Sequence, residues 1–520
     1  MAGTRHMPLR RWIIPFVLLA TCVGAVSAHA SGVVQSQART ILKSRDLGKT
    51  TISAFATDLT DDRVLIRINA DEPMIPASNM KLLTTAVALG VLKPSFVFHT
   101  DLRIIGGNGQ TPQSGGVLLL AGDGDPALGD PELLKTTHQM HLDQMLQHWV
   151  DAVIRAGIRH VARLAVDDRV FDRQWIHPDW PEDQLNRWYC AEVAGLNLHE
   201  NCVHLYAQPT ALGQTARVTM RPKLSAITAL SRNRAITAKT DTFWVSRKFN
   251  TNKMTYRGNV RNRRRPPVKT TIHDPPLFAA ELLAERLRDA GVAVDTVGHV
   301  EHDEHLPEGR TLLRWMTPLA DVLTRCNKDS QNLFAEALLK RVGRHMTGAP
   351  GSWDNGTAAM RKWLTVRLGS GASLIQISDG SGMSRNNRVS SRLLVQLLRT
   401  MVLDPELSAT YVNSLAIGGL DGTLKKRFRP SPMGTVHGKS GYINGVCSLS
   451  GYLVYGDAND TIVAADREDA GRRRVIAFSF LFNNIKPPVY VRKVRSVHEE
   501  LVRMIDSHVA PAREPARLGG

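Results

Sequence analysis

Apolar and polar positions divide the chain into stretches of different texture. Arg5, Arg10 and Arg11 precede a mostly apolar run from Trp12 to Val26 that leads into Ala28-His29-Ala30. A basic start, an apolar middle and small residues before a cleavage point are the pattern of a secretory leader, expected over residues 1–30. Gln35 to Lys43 has helical spacing, and TTISAFATDL and VLIRINAD read as two strands joined by a turn at Thr60-Asp61-Asp62. Next comes IPASNMKLLTTAVALGVL, with apolar residues at helical spacing and Pro76 and Ser78 at its front, so it predicts a buried helix carrying Ser78 in its first turn. From residue 99 to 275 short alternating runs and glycine turns take over, as in VLLLAGDGDP, VARLAVDDRVF and AITAKTDTFWV. That texture predicts β structure. Helical periods return in PPLFAAELLAERLRDAG, DSQNLFAEALLKRV and SSRLLVQLLRTMVL, and the chain closes on a strand, RRVIAFSFLF, and a helix, VRKVRSVHEELVRMI. The expectation is one α/β domain made of residues 31–98 and 276–520, interrupted by a β-rich insert at 99–275. There is no internal repeat and no low-complexity tract.

Composition adds constraints. With 520 residues, 43% apolar and 22% charged, the chain is an ordinary globular protein with room for several lobes. No run after the leader approaches the ~20 apolar residues of a membrane span. An uncleaved N-terminal anchor is the alternative to cleavage. A lipid-modified Cys22 is disfavoured because Thr21 is bulky at the position before it. Export to an oxidising compartment makes Cys190 and Cys202 the candidate pair for a short-loop disulfide. Cys190, His199, Cys202 and His204 offer no C-x-x-C, and HENCVH misses H-E-x-x-H by one residue, so no metal site is expected. The net charge of +18 is partly concentrated in RGNVRNRRRPPVK, residues 257–269. In an exported protein such a run points away from nucleic acid, towards a solvated loop or association with anionic wall or membrane polymers.

The stretch GTVHGKSGYINGV, residues 434–446, poses a choice. A phosphate-binding loop requires a glycine five residues before its GK, and position 433 is Met. The residues after Ser440, GYINGVCSLSGYLVYG, are rich in β-branched and aromatic side chains, so this part of the chain reads as strand, turn, strand. Lys439 and Ser440 therefore serve another chemistry. Ser78 and Lys81 form S-x-x-K at a helix start, a spacing that places both side chains on one face. A serine hydroxyl is a weak nucleophile, and a desolvated lysine beside another cation can take its proton. Ser330-Gln331-Asn332 supplies a hydroxyl to pass a proton and an amide to position a carbonyl; Ser384-Arg385-Asn386 is a competing copy. Lys439-Ser440-Gly441 adds a cation and hydroxyl for a carboxylate, with a glycine that lets a substrate backbone lie close to the strand.

Three motifs in the order S-x-x-K, S-x-N, K-[ST]-G make a strong joint signal where each alone is weak. The sequence resembles the class C low-molecular-mass penicillin-binding proteins, the D-alanyl-D-alanine carboxypeptidases of peptidase family S13. The interval between Ser78 and Ser330, 330 − 78 = 252 residues, matches the large insert that this family carries there. Supporting stretches span nearly the whole mature chain: PASNMKLLTTAVAL, AGDGDPAL, DDRVF, NLHEN, DSQNLFAEALLK, DGSGMSRNNRVS, GGLDGTLKKRF and GKSGYINGVCSLSGYL. The DGSGMSRNNRVS match assigns Ser384-Arg385-Asn386 to a separate loop and leaves Ser330-Gln331-Asn332 as the catalytic element.

The resemblance implies a transpeptidase-like α/β fold, an antiparallel sheet flanked by helices with a β-rich insert. It also implies hydrolysis of peptidoglycan stem peptides without a cofactor, carboxypeptidase activity with room for DD-endopeptidase activity, and acylation by β-lactam antibiotics. Ser78 is then the nucleophile, Lys81 the base, Ser330 and Lys439 the proton relay, Asn332 the orienting amide and Ser440 the carboxylate binder. Tyr442 departs from the family's usual threonine and stands where the resemblance places an oxyanion-hole N–H, paired with that of Ser78; a backbone donor tolerates the change of side chain. Gln331 replaces a common Asp. Asp167, in the DDRVF stretch, and Arg385 are the expected readers of the zwitterionic third residue of the stem peptide, with exposed turn residues as the alternative for Asp167. A β-lactamase or esterase on the same fold, and a wall-binding scaffold without activity, are the rival readings; the long insert argues against the first, the intact Ser, Lys, Ser, Asn, Lys set against the second. No oligomeric state follows from the sequence.

Overall fold

The computed structural model describes residues 32–106, 115–237, 240–456 and 474–510. The expected leader lies outside the described residues. Helix α1 (32–44) precedes strands β1 (Thr51–Asp58) and β2 (Arg63–Ile68), and a 3-10 turn at Ala77–Asn79 opens α2 (Met80–Leu92). Almost every residue of α2 is buried, as its continuous apolar run requires, so it forms the central pillar of the larger lobe.

The chain then enters the insert through β3 (Val97–Ile105), β4 (Gly116–Gly122), α3 (Pro131–Thr136), α4 (Leu142–Arg155) and β5 (His160–Asp167). It continues through β6 (Cys202–Gln208), β7 (Arg217–Arg221), β8 (Thr228–Ala235), β9 (Trp244–Arg247), β10 (Lys253–Val260) and β11 (Val268–Thr271). Next come α5 (Pro275–Asp289), β12 (Ala293–His299) and β13 (Arg310–Pro318). A five-stranded sheet in the order β12-β5-β4-β3-β13 joins the start and the end of this segment. Strands β8-β10-β9 and β11-β6-β7 form two smaller sheets.

One expectation needs correction here. The return to the main domain does not fall at 276: β12 and β13 belong to the inserted sheet, and α5 buries Phe278, Leu282, Leu283 and Leu287 in the same core as Leu118, Leu164 and Trp149. The insert is β-rich, as its texture predicts, with eleven strands in three sheets among the described residues, and it also carries helices that the texture does not announce. Leu142, Met145, Leu146, Trp149, Val150 and Val153 lie on one buried face of α4 at helical spacing.

After β13 the larger lobe resumes with α6 (Leu319–Lys328), α7 (Asn332–Thr347), α8 (Trp353–Leu368), α9 (Ser391–Leu403) and α10 (Ser408–Asn413). It ends with β14 (Ala416–Ile417), β15 (Thr435–Ile443), β16 (Val446–Tyr455), β17 (Arg474–Asn483) and α11 (Val491–Val509). Its antiparallel sheet runs β14-β15-β16-β17-β1-β2. One face packs on α2, α7, α8 and α9, with Phe55, Tyr452 and Leu481 in that core; the other packs on α1 and α11 through Phe478, Phe480, Val497 and Leu501. Strand β17 is buried along nearly its whole length because both faces are covered. Ile443 pairs with Val446 across Asn444-Gly445, a two-residue hairpin whose Asn-Gly sequence suits positive φ. The GKS stretch is thus strand, as its composition predicts. Cys190, Cys202, Cys326 and Cys447 are all free and buried, so the Cys190–Cys202 pairing is not formed; burial pushes the Cys190 thiol up to about 12.

Candidate active site

The turn before α2 sets the position of Ser78. Ala77 has φ 48, a left-handed conformation that costs a residue with a Cβ about 1–2 kcal/mol. Two glycines let other segments close on this turn. A Cβ on Gly382, itself at φ +83, would collide with the Ala77 carbonyl, and one on Gly441 would come within 3.0 Å of the Ser78 nitrogen and the Pro76 oxygen. Gly441 therefore has a packing reason of its own: β15 presses against the turn that carries Ser78.

Lys81 is the second residue of α2, one turn after Ser78, and is fully buried. Its Nζ is 3.2 Å from Ser78 Oγ and donates to Asn332 Oδ1 at 2.7 Å and to the Ser381 carbonyl at 2.8 Å. All three contacts are neutral. Burial pushes the Lys81 ammonium down to about 8, against the attraction of more distant acidic groups. The loop that supplies the Ser381 carbonyl is pinned from behind: Glu336 accepts from the Gly380 and Ser381 N–H groups, and Asp379 from those of Gly382 and Ser384.

Ser330 precedes α7 with φ 60, again left-handed, and its Oγ accepts from Lys439 Nζ at 2.8 Å. Lys439 is buried in β15 and also donates to the Ser440 carbonyl at 2.8 Å; burial and the neighbouring charge of Lys81 hold its ammonium well below the usual lysine range. Asn332 opens α7 and donates to the Tyr189 carbonyl of the insert at 2.8 Å. Ser440 Oγ donates to Thr423 Oγ1 at 2.9 Å. The structure thus gathers Ser78, Lys81, Ser330, Asn332, Lys439, Ser440, Gly441 and Tyr442 around one cleft of about 1160 Å³. Tyr442 is half-exposed on the cleft rim with the Arg495 guanidinium 5.8 Å from its ring centre.

Arg385 also lines the cleft, donating to the Asn444 carbonyl at 2.8 Å, but Asp167 does not. Asp167 ends β5 and is taken by Arg169, which donates to both of its oxygens at 2.9 and 2.8 Å. Two aspartates line the cleft: Asp329, which is taken by Arg325, and, twelve positions after Asp167 (179 − 167 = 12), Asp179. It accepts from Ser378, Ser384 and Asn386 at 2.5 to 2.9 Å; although its partial burial works the other way, these bonds hold it below the usual carboxylate range.

Sequence reading also misses Glu200. His199, Glu200 and Asn201 all have left-handed φ values between 49 and 59, a strained turn that the insert holds buried. From it Glu200 accepts from Gln331 Nε2 at 2.7 Å and from Arg325 Nη2 at 3.2 Å, with Lys269 closing on its other oxygen. Arg325 in turn grips Asp130 at 2.9 Å. The residue beside Ser330 is therefore tied to the insert by a buried charged network. Only the NLHEN stretch hints at this, and no spacing rule converts it into a contact.

A serine in contact with a buried lysine that has no carboxylate partner, at a helix start against an antiparallel sheet, is the arrangement of a serine hydrolase of the penicillin-binding class. The chain belongs to the D-Ala-D-Ala carboxypeptidase 3 (S13) family, whose profile matches residues 34–504. It is 29% identical to the D-alanyl-D-alanine carboxypeptidase of Actinomadura sp. (strain R39) over 472 residues, covering 85% of this chain and 82% of the relative. It is 23% identical to the D-alanyl-D-alanine carboxypeptidase DacB of Haemophilus influenzae over 419 residues, covering 77% and 82%. The fold matches the crystal structure of penicillin binding protein 4 (dacB) from Haemophilus influenzae with a TM-score of 0.71 at 19% identity, over 90% of this chain and 99% of that one.

Proposed function

We propose that this peptidase cleaves the bond between the two terminal D-Ala units of peptidoglycan stem peptides, with Ser78 as nucleophile. The observation that carries the assignment is the Ser78–Lys81 contact inside a pocket of neutral acceptors. Neutral Lys81 takes the Ser78 proton as Oγ attacks the carbonyl carbon. Ser330, hydrogen-bonded to Lys439, passes a proton to the departing amine as the C–N bond breaks. Water then attacks the ester, and Ser78 regains its proton. Asn332 orients the acyl side, Ser440 with Thr423 meets the terminal carboxylate, and the N–H groups of Ser78 and Tyr442 take the oxyanion. Because the same attack on a peptide cross-link only requires a longer leaving amine, DD-endopeptidase activity belongs to the same reading.

Asp179 and Arg385 supply an anion and a cation on adjoining parts of one rim, as a side chain ending in an amine and a carboxylate would need. In this role Asp179 replaces Asp167. The N-terminal pattern supports export to the periplasm or wall space, and among the described residues no helix is long and apolar enough to cross a membrane.

The assignment is tested by intact-mass analysis after incubation with benzylpenicillin. One adduct is expected, mapped to Ser78 and absent from Ser78→Ala; an adduct that survives the substitution ends the assignment.

A further inference from the structure

A second concavity, of about 530 Å³, adjoins the catalytic cleft and shares Gln184, Trp188 and Tyr189 with it. The chemistry at Ser78 makes no use of its far wall. Trp244, the first residue of β9, is 44% exposed, and Trp188 on the shared rim is 37% exposed. Large indoles left in water on a concave surface mark a binding face. Arg257 lies 5.5 Å from the centre of the Trp244 ring and so steadies its plane. Arg264 also lines the pocket. Its backbone N–H is fixed to the Ala207 carbonyl at 2.9 Å, while its guanidinium Nε is shut from solvent and has no hydrogen-bond partner. A buried donor without an acceptor is destabilising unless a ligand supplies one. The basic segment 257–269, unassigned by the catalytic reading, forms this edge of the pocket.

The occupant has to offer flat apolar faces to indoles and polar acceptors to a guanidinium. A hydrocarbon chain would leave Arg264 unpaired, and a peptide would bring carbonyl acceptors but no flat apolar face of its own backbone to the indoles. A polyanion would find Arg187 and Arg264, but Lys269 is already taken by Glu200 and Asp183 stands in the same wall. A saccharide satisfies both demands: the C–H face of a sugar ring packs on Trp, and its ring and acetamido oxygens accept from Arg. Continuity with the cleft through Trp188 names the saccharide's relation to the reaction.

We propose that this pocket is a subsite for the amino-sugar strand that bears the stem peptide cleaved at Ser78. The inference rests on the proposed function, in which the substrate is peptidoglycan. A small β-lactam or a free peptide would use the cleft alone, whereas polymeric wall would use both.

The test compares the mature protein with Trp244→Ala and Arg264→Gln. D-Ala release is measured from a free pentapeptide and from purified wall polymer carrying the same peptide, and acylation by benzylpenicillin is followed in parallel. KM for the polymer should rise about tenfold in each variant with kcat unchanged, while free-peptide hydrolysis and acylation stay within about twofold. Unchanged acylation shows that both variants fold. Quenching of tryptophan fluorescence by a tetramer of N-acetylglucosamine should be weakened in Trp244→Ala. Equal kinetics on polymer for variant and parent, or binding of inorganic polyphosphate with none of the tetramer, would overturn the saccharide subsite. Failure of the parent to be acylated by benzylpenicillin would instead strike the catalytic assignment.

Discussion

Lys81 and Lys340 are both fully buried in the larger lobe, yet their surroundings differ in one respect that decides what each can do. Lys340 in α7 donates to Asp172 Oδ1 and to the Gln174 carbonyl, both at 2.7 Å, and sits 3.9 Å from the centre of the Trp353 ring. Its burial lowers its proton affinity, and Asp172 works against that loss. Lys81 contacts a hydroxyl, an amide oxygen and a peptide carbonyl, and a second buried lysine, Lys439, stands nearby. A buried ammonium with a carboxylate is a structural bridge; one without it surrenders its proton readily. The counter-charge that stabilises Lys340 is absent from the contacts of Lys81, and that absence is what the proposed function requires of a base.

The sharpest way to break this comparison is Lys81→Arg. A guanidinium keeps the charge but does not give up its proton, so acylation by benzylpenicillin should fall by ~10²–10⁴. A rate within about tenfold of the parent would remove Lys81 as the base.

Lys340→Met should act on the fold rather than on the chemistry. It leaves Asp172, whose side chain is 31% exposed, without its partner, so the cost should be on the order of 2–3 kcal/mol, below that of breaking a fully buried pair. Urea unfolding should show the loss, while the folded fraction acylates within about twofold of the parent rate. A large fall in that rate would place Lys340 in the catalytic machinery.

Glu200→Gln weakens the tie between the insert and Gln331 while leaving both lysines in place. Burial opposes the charge of Glu200, but His204, Lys269 and Arg325 hold its carboxyl far below the usual range, so it stays ionised across neutral pH. Acylation should slow about tenfold, ~1.4 kcal/mol, through looser placement of Ser330, with its pH midpoint unchanged. A shifted midpoint would show that Glu200 acts on the lysines by charge instead.

Motif order is enough to read the set that the structure gathers at the cleft because its members lie on or beside regular elements with predictable faces: Ser78 in the turn before α2, Lys81 at the start of α2, and Lys439 and Ser440 along β15. The left-handed turns at Ala77, Ser330 and Glu200 are not legible, since none is a glycine and each is held by packing from elsewhere in the chain. The resemblance points to Asp167 in the DDRVF stretch, and nothing in the sequence points to Asp179, for the same kind of reason. Only the tertiary path shows that Arg169 takes Asp167 while the loop at Ser384 holds Asp179 at the cleft. The apolar spacing of α4 is legible but is outweighed by the glycine turns around it. The expected boundary near 276 is misplaced because α5 resembles the helices of the larger lobe in composition, and its packing in the insert's core together with the pairing of β12 with β5 and of β13 with β3 assigns this segment to the insert.

The central claim is that neutral Lys81 is the base, and the pH dependence of Ser78 acylation measures it directly. Burial places the Lys81 proton near pH 8, so the second-order rate constant with benzylpenicillin should rise with pH below that value and level off above it. The rising limb should be absent from the residual rate of Lys81→Arg. A rate constant that is flat from about pH 6 to 9, or a rising limb with the same midpoint in Lys81→Arg, would contradict the account.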